Sequence, residues 1–364
     1  MLSRPGRRPA GARAVRVGIA TVQVPFVRGG AEMLAENLAA QVRAAGHEAE
    51  IISIPFKWYP PRLIPEAMAV CRMLDLTESS GTRIDRLVGL KFPAYMIPHP
   101  NKVLWLLHQH RGAYELWDTP LSDLRGAPDG QHVRALIHGA DRRMIPEARA
   151  CYTISRTVTN RLQEYCGLPS TPIYHPPPGA PAFGALQPRW GDFFLMPSRI
   201  NPTKRQSLVL DAMERTRHPV RVVFAGAADD TGTHAALQAQ SAGPRLRDRV
   251  TWLGNIAEAE KLRLYEGCRA VVFPPVDEDY GYVTLEAMLA SKAVVTCTDS
   301  GGPLEFVTHG VNGLVCDPSP DALAESLDRL WEDQAAAREY GRAGRARYAD
   351  MGIGWEAVLG CLLD

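Results

Sequence analysis

Short β-branched runs alternate with helical patterns along this chain, and that alternation fits a parallel sheet wrapped by helices. The first series comprises Val15 to Val22, Glu50 to Ile54, Ile84 to Leu90, Val103 to His108 and Cys151 to Ser155. Between the first two lies Ala31 to Ala45, whose Leu34, Leu38 and Val42 recur at near-helical spacing before Gly46 supplies a stop. His175-Pro-Pro-Pro-Gly-Ala-Pro and Gln187-Pro188 then crowd prolines into a span that suits neither a helix nor a sheet interior. A second series follows: Phe193 to Pro197, Val220 to Ala225, Val250 to Leu253, Ala270 to Phe273, Ala293 to Cys297 and Gly313 to Cys316. The expected fold class is α/β, two doubly wound parallel-sheet domains facing each other across a cleft. A length of 364 residues suits two domains. Their expected limits are 15–180 and 181–349, with a closing helix over 350–364 packing back on the first. No short sequence repeat links the halves.

The balance of 41 Lys and Arg against 40 Asp and Glu argues against wholesale nucleic-acid binding. Basic residues cluster early, since Arg4, Arg7, Arg8, Arg13, Arg16 and Arg28 all precede the first acidic residue, Glu32. Residues 1–14, rich in Pro, Gly and Arg and lacking an apolar h-region, read as a disordered basic leader. Seven cysteines without a C-x-x-C pair read as scattered small core residues rather than a disulfide framework or a zinc site. No apolar run is long enough to span a bilayer. A cytoplasmic location is expected, with any membrane contact peripheral.

Ligands of open α/β sheets collect at the carboxyl ends of the strands, so the polar residues just after each run matter most. After Phe193 to Pro197 comes Ser198-Arg199-Ile200-Asn201-Pro202-Thr203-Lys204-Arg205, with a helix expected near Gln206. Arg199, Lys204 and that helix start suit a diphosphate, while a solvated basic turn is the plainer alternative. Gly29-Gly30 enters the first helix, where paired glycines admit close approach of an anion or merely make a tight turn. The spacing fails the G-x-G-x-x-G fingerprint, which weighs against an NAD enzyme. His108-Gln109-His110-Arg111 follows an apolar strand. His108, nearest the strand end, is placed to meet a sugar hydroxyl or manage a proton, and a loop-capping role is the alternative. No third ligand suggests a metal beside His108 and His110.

The strongest pattern follows Val271-Val-Phe273, where Glu278 falls in a loop and Glu286 within a helix. Two carboxylates so spaced can accept from vicinal hydroxyls of a sugar and a ribose. Against this stand a loop charge and an ordinary helix carboxylate. Glu286 has apolar neighbours Leu285, Ala287, Met288 and Leu289, implying burial that an unpaired carboxylate resists. Asp277-Glu278-Asp279 spells D-x-D, but acidic triplets recur by chance and no metal site is assigned. Ser300-Gly301-Gly302 adds a glycine-rich turn whose amides could face a phosphate or sugar.

Taken together, Gly29-Gly30-Ala31-Glu32, the Arg199 to Lys204 turn, the Glu278 to Glu286 spacing and Gly301-Gly302 resemble the motifs of retaining GT-B glycosyltransferases of family 4. The match is tightest over Asp277 to Glu305. Bacterial members acting on polysaccharides or glycolipids are resembled through His108 to Arg111, Ile154 to Thr157 and Pro176 to Pro178. The resemblance implies two Rossmann-like domains, the first for the acceptor and the second for the donor nucleotide. It implies that Arg199 and Lys204 hold a diphosphate close to Gly29 and Gly30, and that Glu286 grips the ribose. Glu278 would hydrogen-bond the donor sugar, with His108 beside it. Gly254, Asn255 and Ile256 would read the base, while Gly281, Tyr282, Val283, Gly301 and Gly302 would line the donor. The co-substrate would be a UDP- or GDP-linked hexose, with no cofactor and no required metal, and the acceptor a glycan, a lipid-linked glycan or a small molecule. Aromatic and basic residues in Lys57 to Ile64 and Lys91 to Ile97 fit either a membrane surface or, more commonly, a core or subunit contact. A sugar-nucleotide epimerase or hydrolase of the same shape, or a noncatalytic subunit, is the alternative.

Overall fold

The computed structural model describes residues 14–364, so the expected leader lies outside the described residues apart from Ala14. The chain divides into two units: one runs up to Pro178 and resumes over Gly354–Asp364, and the other is Gly179–Ile353.

The first unit is built on a six-stranded sheet, β1 (Arg16–Gln23), β2 (Glu48–Pro55), β5 (Arg86–Lys91), β6 (Lys102–His108), β7 (Ala150–Thr153) and β8 (Thr171–Pro172). A small hairpin of β3 (Glu78–Ser79) and β4 (Thr82–Arg83) lies outside it. The sheet order is β2-β1-β5-β6-β7-β8 with every pair parallel. Helices α1 (Gly30–Ala44), α2 (Ile64–Met73), α3 (Gly130–Met144) and α4 (Arg156–Cys166) accompany it. Leu34, Leu38 and Val42 form the buried stripe of α1, as their spacing implied. β5 and β6 are buried almost throughout because a parallel sheet is covered on both faces. Asp141 of α3 is wholly buried in this core and accepts from Tyr95 at 2.8 Å, Tyr114 at 2.7 Å and Gln109 at 2.8 Å. Burial pushes its carboxyl up to about 6 against those three donors.

The helix Trp355–Leu363 belongs to this first unit. Trp355 packs against Trp105 and His175, ring centroids 6.2 and 6.0 Å away, and burial pushes the His175 imidazole down to about 3. Arg86, itself buried, donates to the carbonyl oxygens of Leu362 at 2.8 Å and Leu363 at 3.1 Å, the right place for a cation on a helix C-terminus.

The second unit carries β9 (Phe194–Met196), β10 (Val222–Phe224), β11 (Val250–Trp252), β12 (Ala270–Val272), β13 (Val294–Cys297) and β14 (Gly313–Cys316), with α5 (Ala180–Gly184), α6 (Gln206–Met213), α7 (Thr231–Ser241), α8 (Glu258–Gly267), α9 (Tyr282–Leu289), α10 (Pro303–Phe306), α11 (Pro320–Glu332) and α12 (Gln334–Asp350). Its order, β11-β10-β9-β12-β13-β14, is all parallel and matches the 3-2-1-4-5-6 winding of a Rossmann sheet. Both units are thus Rossmann-like.

Three local expectations differ from the structure. The proline-rich span contains a helix, α5, because Pro181 falls in its first turn, where a missing N–H costs nothing. The division falls after Pro178 instead of 180, with left-handed Gly179 (φ 70°) starting the second unit. The return to the first unit starts at Gly354 instead of 350, since α12 runs through Asp350.

Candidate functional site

In the second sheet the winding reverses between β9 and β12, so their carboxyl-end loops diverge and leave room for a ligand. The loop after β9 holds the basic turn, and the loop after β12 holds Asp277 to Gly281. Backbone bonds lace them together: Val276 N donates to Thr203 O at 2.7 Å. The loop after β13 joins them, with Asp277 N donating to Asp299 O and Glu278 N to Ser300 O, both at 2.9 Å. On the other side, Gly226 N donates to Gly254 O at 2.8 Å, and Ile200 bridges to Ala228. The ends of β9 to β13 therefore form one connected shelf.

Left-handed residues concentrate on this shelf: Arg205 (φ 59°), Gly254 (φ 63°), Asp277 (φ 45°), Gly281 (φ 85°) and Gly301 (φ 69°). For Arg205 and Asp277, which are not glycine, this conformation is strained and persists where surrounding bonds over-determine it. Gly301 shows why no side chain fits, because a Cβ there would stand 2.6 Å from Glu278 O and 2.8 Å from Glu278 N. Gly302 N donates to Glu278 O at 2.7 Å. The Gly302 amide is therefore spent on holding the Glu278 loop, which corrects the expectation that both glycine amides face a ligand.

Lys204 and Glu278 meet across the switch point as an ion pair, both side chains mostly buried. The Lys204 ammonium also lies 5.6 Å from the Phe273 ring centroid. Asn201 fixes the turn by accepting from Lys204 N at 3.2 Å. Arg199 donates from Nη1 to both Asp229 oxygens, at 2.9 and 3.0 Å, and stays half exposed. Arg205 forks onto Asp299 at 2.7 and 2.5 Å, which holds its guanidinium above the usual arginine range. Three cations and three carboxylates thus line adjoining loops. Asp229, Arg205 and Asp299 were missed by sequence reasoning; the Lys204-Arg205 doublet was a signal for one, while the acids are distant in sequence.

Glu286 stands apart from Glu278, buried in α9 at 4% exposure. Its Oε1 accepts from Lys261 at 2.6 Å and its Oε2 from Tyr265 at 2.7 Å, both on α8. The burial inferred from its neighbours is present, and these two donors explain it. Gly281 caps α9, followed by Tyr282 and the buried Val283; Asn255 is exposed beside half-buried Ile256. Among the described residues, no group of three His, Cys, Asp or Glu side chains is placed to hold a metal ion.

In the first unit, Gly29 N donates to Glu32 Oε2 at 2.8 Å, so the Gly29 amide is occupied by the helix's own carboxylate. Arg28 pairs with Glu36 at 2.6 Å. His108 ends β6, half-buried, with Nδ1 2.5 Å from Gln109 O. His110 is the buried one of this pair, edge-on to Phe92 at 5.3 Å, and burial lowers its pKa. Among the described residues no helix is long and apolar enough to cross a membrane.

Two Rossmann-like units in one chain are the architecture of the GT-B fold. A crystal structure of Anabaena Alr3699/HepE in complex with UDP and glucose shares the fold, at TM-score 0.65 and 18% identity over 92% of this chain and 95% of that one. Residues 188–347, less than half of the chain, match the family described as glycosyl transferases group 1. Human alpha-1,3/1,6-mannosyltransferase ALG2 is 29% identical over 176 residues, 44% of this chain and 42% of that protein. The D-rhamnosyltransferase WbpZ of Pseudomonas aeruginosa is 33% identical over 162 residues, 44% of this chain and 41% of that protein. The matched segment thus spans less than half the length of these curated relatives.

Proposed function

We propose that this chain transfers a hexose-type sugar from a nucleoside-diphosphate sugar to an acceptor hydroxyl, with retention of anomeric configuration and without a cofactor. The observation that carries the reading is the Lys204–Glu278 pair on the switch-point shelf, with Arg199 on the same loop. Lys204 and Arg199 hold the donor diphosphate and stabilise the charge that develops as it departs. Glu278 accepts from a donor-sugar hydroxyl and, through its pair, aims the ammonium. Glu286 takes the ribose hydroxyls while Lys261 and Tyr265 fix its rotamer. The base meets backbone around Gly254, Asn255 and Ile256, whose loop is tied to the shelf through Gly226. The departing phosphate takes the acceptor proton as the hydroxyl attacks from the same face. The acceptor, a glycan or glycolipid, is recognised by the first unit, with His108 at the end of β6 as its candidate polar contact. The relatives named for mannosyl and rhamnosyl transfer support a sugar-transfer reading, and the Anabaena complex supports a uridine nucleotide.

Thermal-shift measurements against UDP, GDP and their sugar conjugates test this reading, since a ligand that binds only the native state raises its apparent stability. One nucleotide class should stabilise the chain; none doing so would remove the donor site. Glu278→Gln should lower transfer roughly tenfold or more, a larger loss than any change in nucleoside diphosphate affinity, because it removes the charged acceptor for the sugar hydroxyl. Equal losses in both assays would move Glu278 to another role.

A further inference from the structure

Cys297 ends β13 and Cys316 ends β14, and the two are register partners on these neighbouring parallel strands. Strands pair at about 4.8 Å, inside the Cα separation of about 4.4–6.8 Å that disulfides bridge. Register partners also project from the same face of a sheet. Cys297 Sγ donates to Asp317 O at 3.9 Å and Cys316 Sγ to Thr296 O at 3.6 Å, so each thiol reaches across toward the other's strand. Cys297 is fully buried, whereas Cys316 is half-buried and lines a cavity of about 370 Å³ together with Thr298, His309, Ser326 and Arg329. An inner thiol thus stands behind an outer thiol that small molecules can reach.

We propose that Cys297 and Cys316 are a reversible dithiol–disulfide pair, closed by a small-molecule disulfide entering through this cavity. Cys316 lines the cavity while Cys297 is fully buried, so Cys316 is the thiol that the small disulfide meets first, and as its thiolate it attacks. Its Sγ attacks one sulfur of the small disulfide, a mixed disulfide forms, and one thiolate leaves. Cys297 then gives up its proton and attacks Cys316 Sγ, expelling the second thiolate. Two electrons pass to the small disulfide, two protons go to the departing thiols, and one protein S–S bond is made.

The pair sits where closing it reaches the shelf. Cys297 N donates to Ser300 Oγ at 3.1 Å, and Thr298 N donates to Cys316 O at 2.9 Å. Asp299 and Ser300 in turn hold the backbones of Asp277 and Glu278. Drawing the sulfurs to a bond of about 2.05 Å displaces the strand end from which this loop departs. The effect on nucleotide rests on the donor-site reading; the bond itself does not.

The test treats the full-length chain with glutathione disulfide, blocks remaining thiols, and maps the peptides by mass spectrometry. A Cys297–Cys316 linked peptide, two hydrogens lighter and reversed by dithiothreitol, is expected. Cys297→Ser should stop at a glutathione adduct on Cys316. Oxidised wild type should bind UDP or GDP about tenfold more weakly than reduced, whereas Cys316→Ser treated identically should not change. Recovery of both cysteines unlinked under excess glutathione disulfide would overturn the pair, whether or not the chain binds nucleotide. A linked peptide with unaltered nucleotide affinity would overturn its link to the shelf.

Discussion

Lys204→Ala lowers the affinity for a nucleoside diphosphate roughly 10- to 100-fold in a calorimetric titration. A charge-assisted hydrogen bond contributes about 1.5–3 kcal/mol, and each 1.4 kcal/mol is tenfold in affinity. The geometry sharpens the expectation, because the same substitution strips Glu278 of its cation and leaves an uncompensated carboxylate at the proposed diphosphate site. The loss should exceed that of Arg199→Ala, whose guanidinium is half exposed and already shared with Asp229. Adding Glu278→Gln to Lys204→Ala removes the stranded charge and should recover part of the affinity. An unchanged affinity in Lys204→Ala would remove this side chain from the phosphate site.

Lys292→Met should destabilise the second unit by about 3–5 kcal/mol, read from urea unfolding, without altering nucleotide affinity. Lys292 has 0% exposure, and its ammonium donates to the carbonyl oxygens of Glu266 and Cys268, both at 2.9 Å, and of Arg189. Burial pushes its pKa down to about 8, which leaves it charged at neutral pH. Methionine keeps the stem but takes this donor from the carbonyls of Cys268 and Arg189, each costing about 1–3 kcal/mol, while Glu266 O keeps its bond from Arg189 N at 2.8 Å. The cluster lies at the amino ends of β9, β12 and β13, the opposite edge from the shelf. Stability and binding should therefore separate. A loss below about 1 kcal/mol would mean that water reaches the carbonyls.

Much of this could be read from sequence because parallel strands announce themselves. The interior of β6, Val103 to Leu107, and all of β12 are uninterrupted apolar runs, and the stripe of α1 keeps its helical period. β8 was missed because two residues, one a proline, carry no periodicity. Glu278 and Lys204 were singled out for separate roles, yet their pairing across 74 residues is a property of the winding, which brings β9 beside β12. Glu286 gave a different signal: apolar neighbours foretold its burial, but Lys261 and Tyr265 could not be chosen from many equivalent side chains. The glycine turn at 301–302 was visible as a turn, whereas its use as a seat for the Glu278 backbone depends on a close approach that only coordinates show.

The return of Trp355–Leu363 to the first unit bears on the order in which this chain can fold during synthesis. The second unit is an insertion joined at both ends, and all of its residues emerge from the ribosome before Trp355 does. The nascent first unit must therefore wait with Trp105 and His175 lacking their indole partner and with Arg86 lacking the carbonyls of Leu362 and Leu363. The inserted unit can finish while its host is still incomplete, so the part of the protein made first is the last to be sealed.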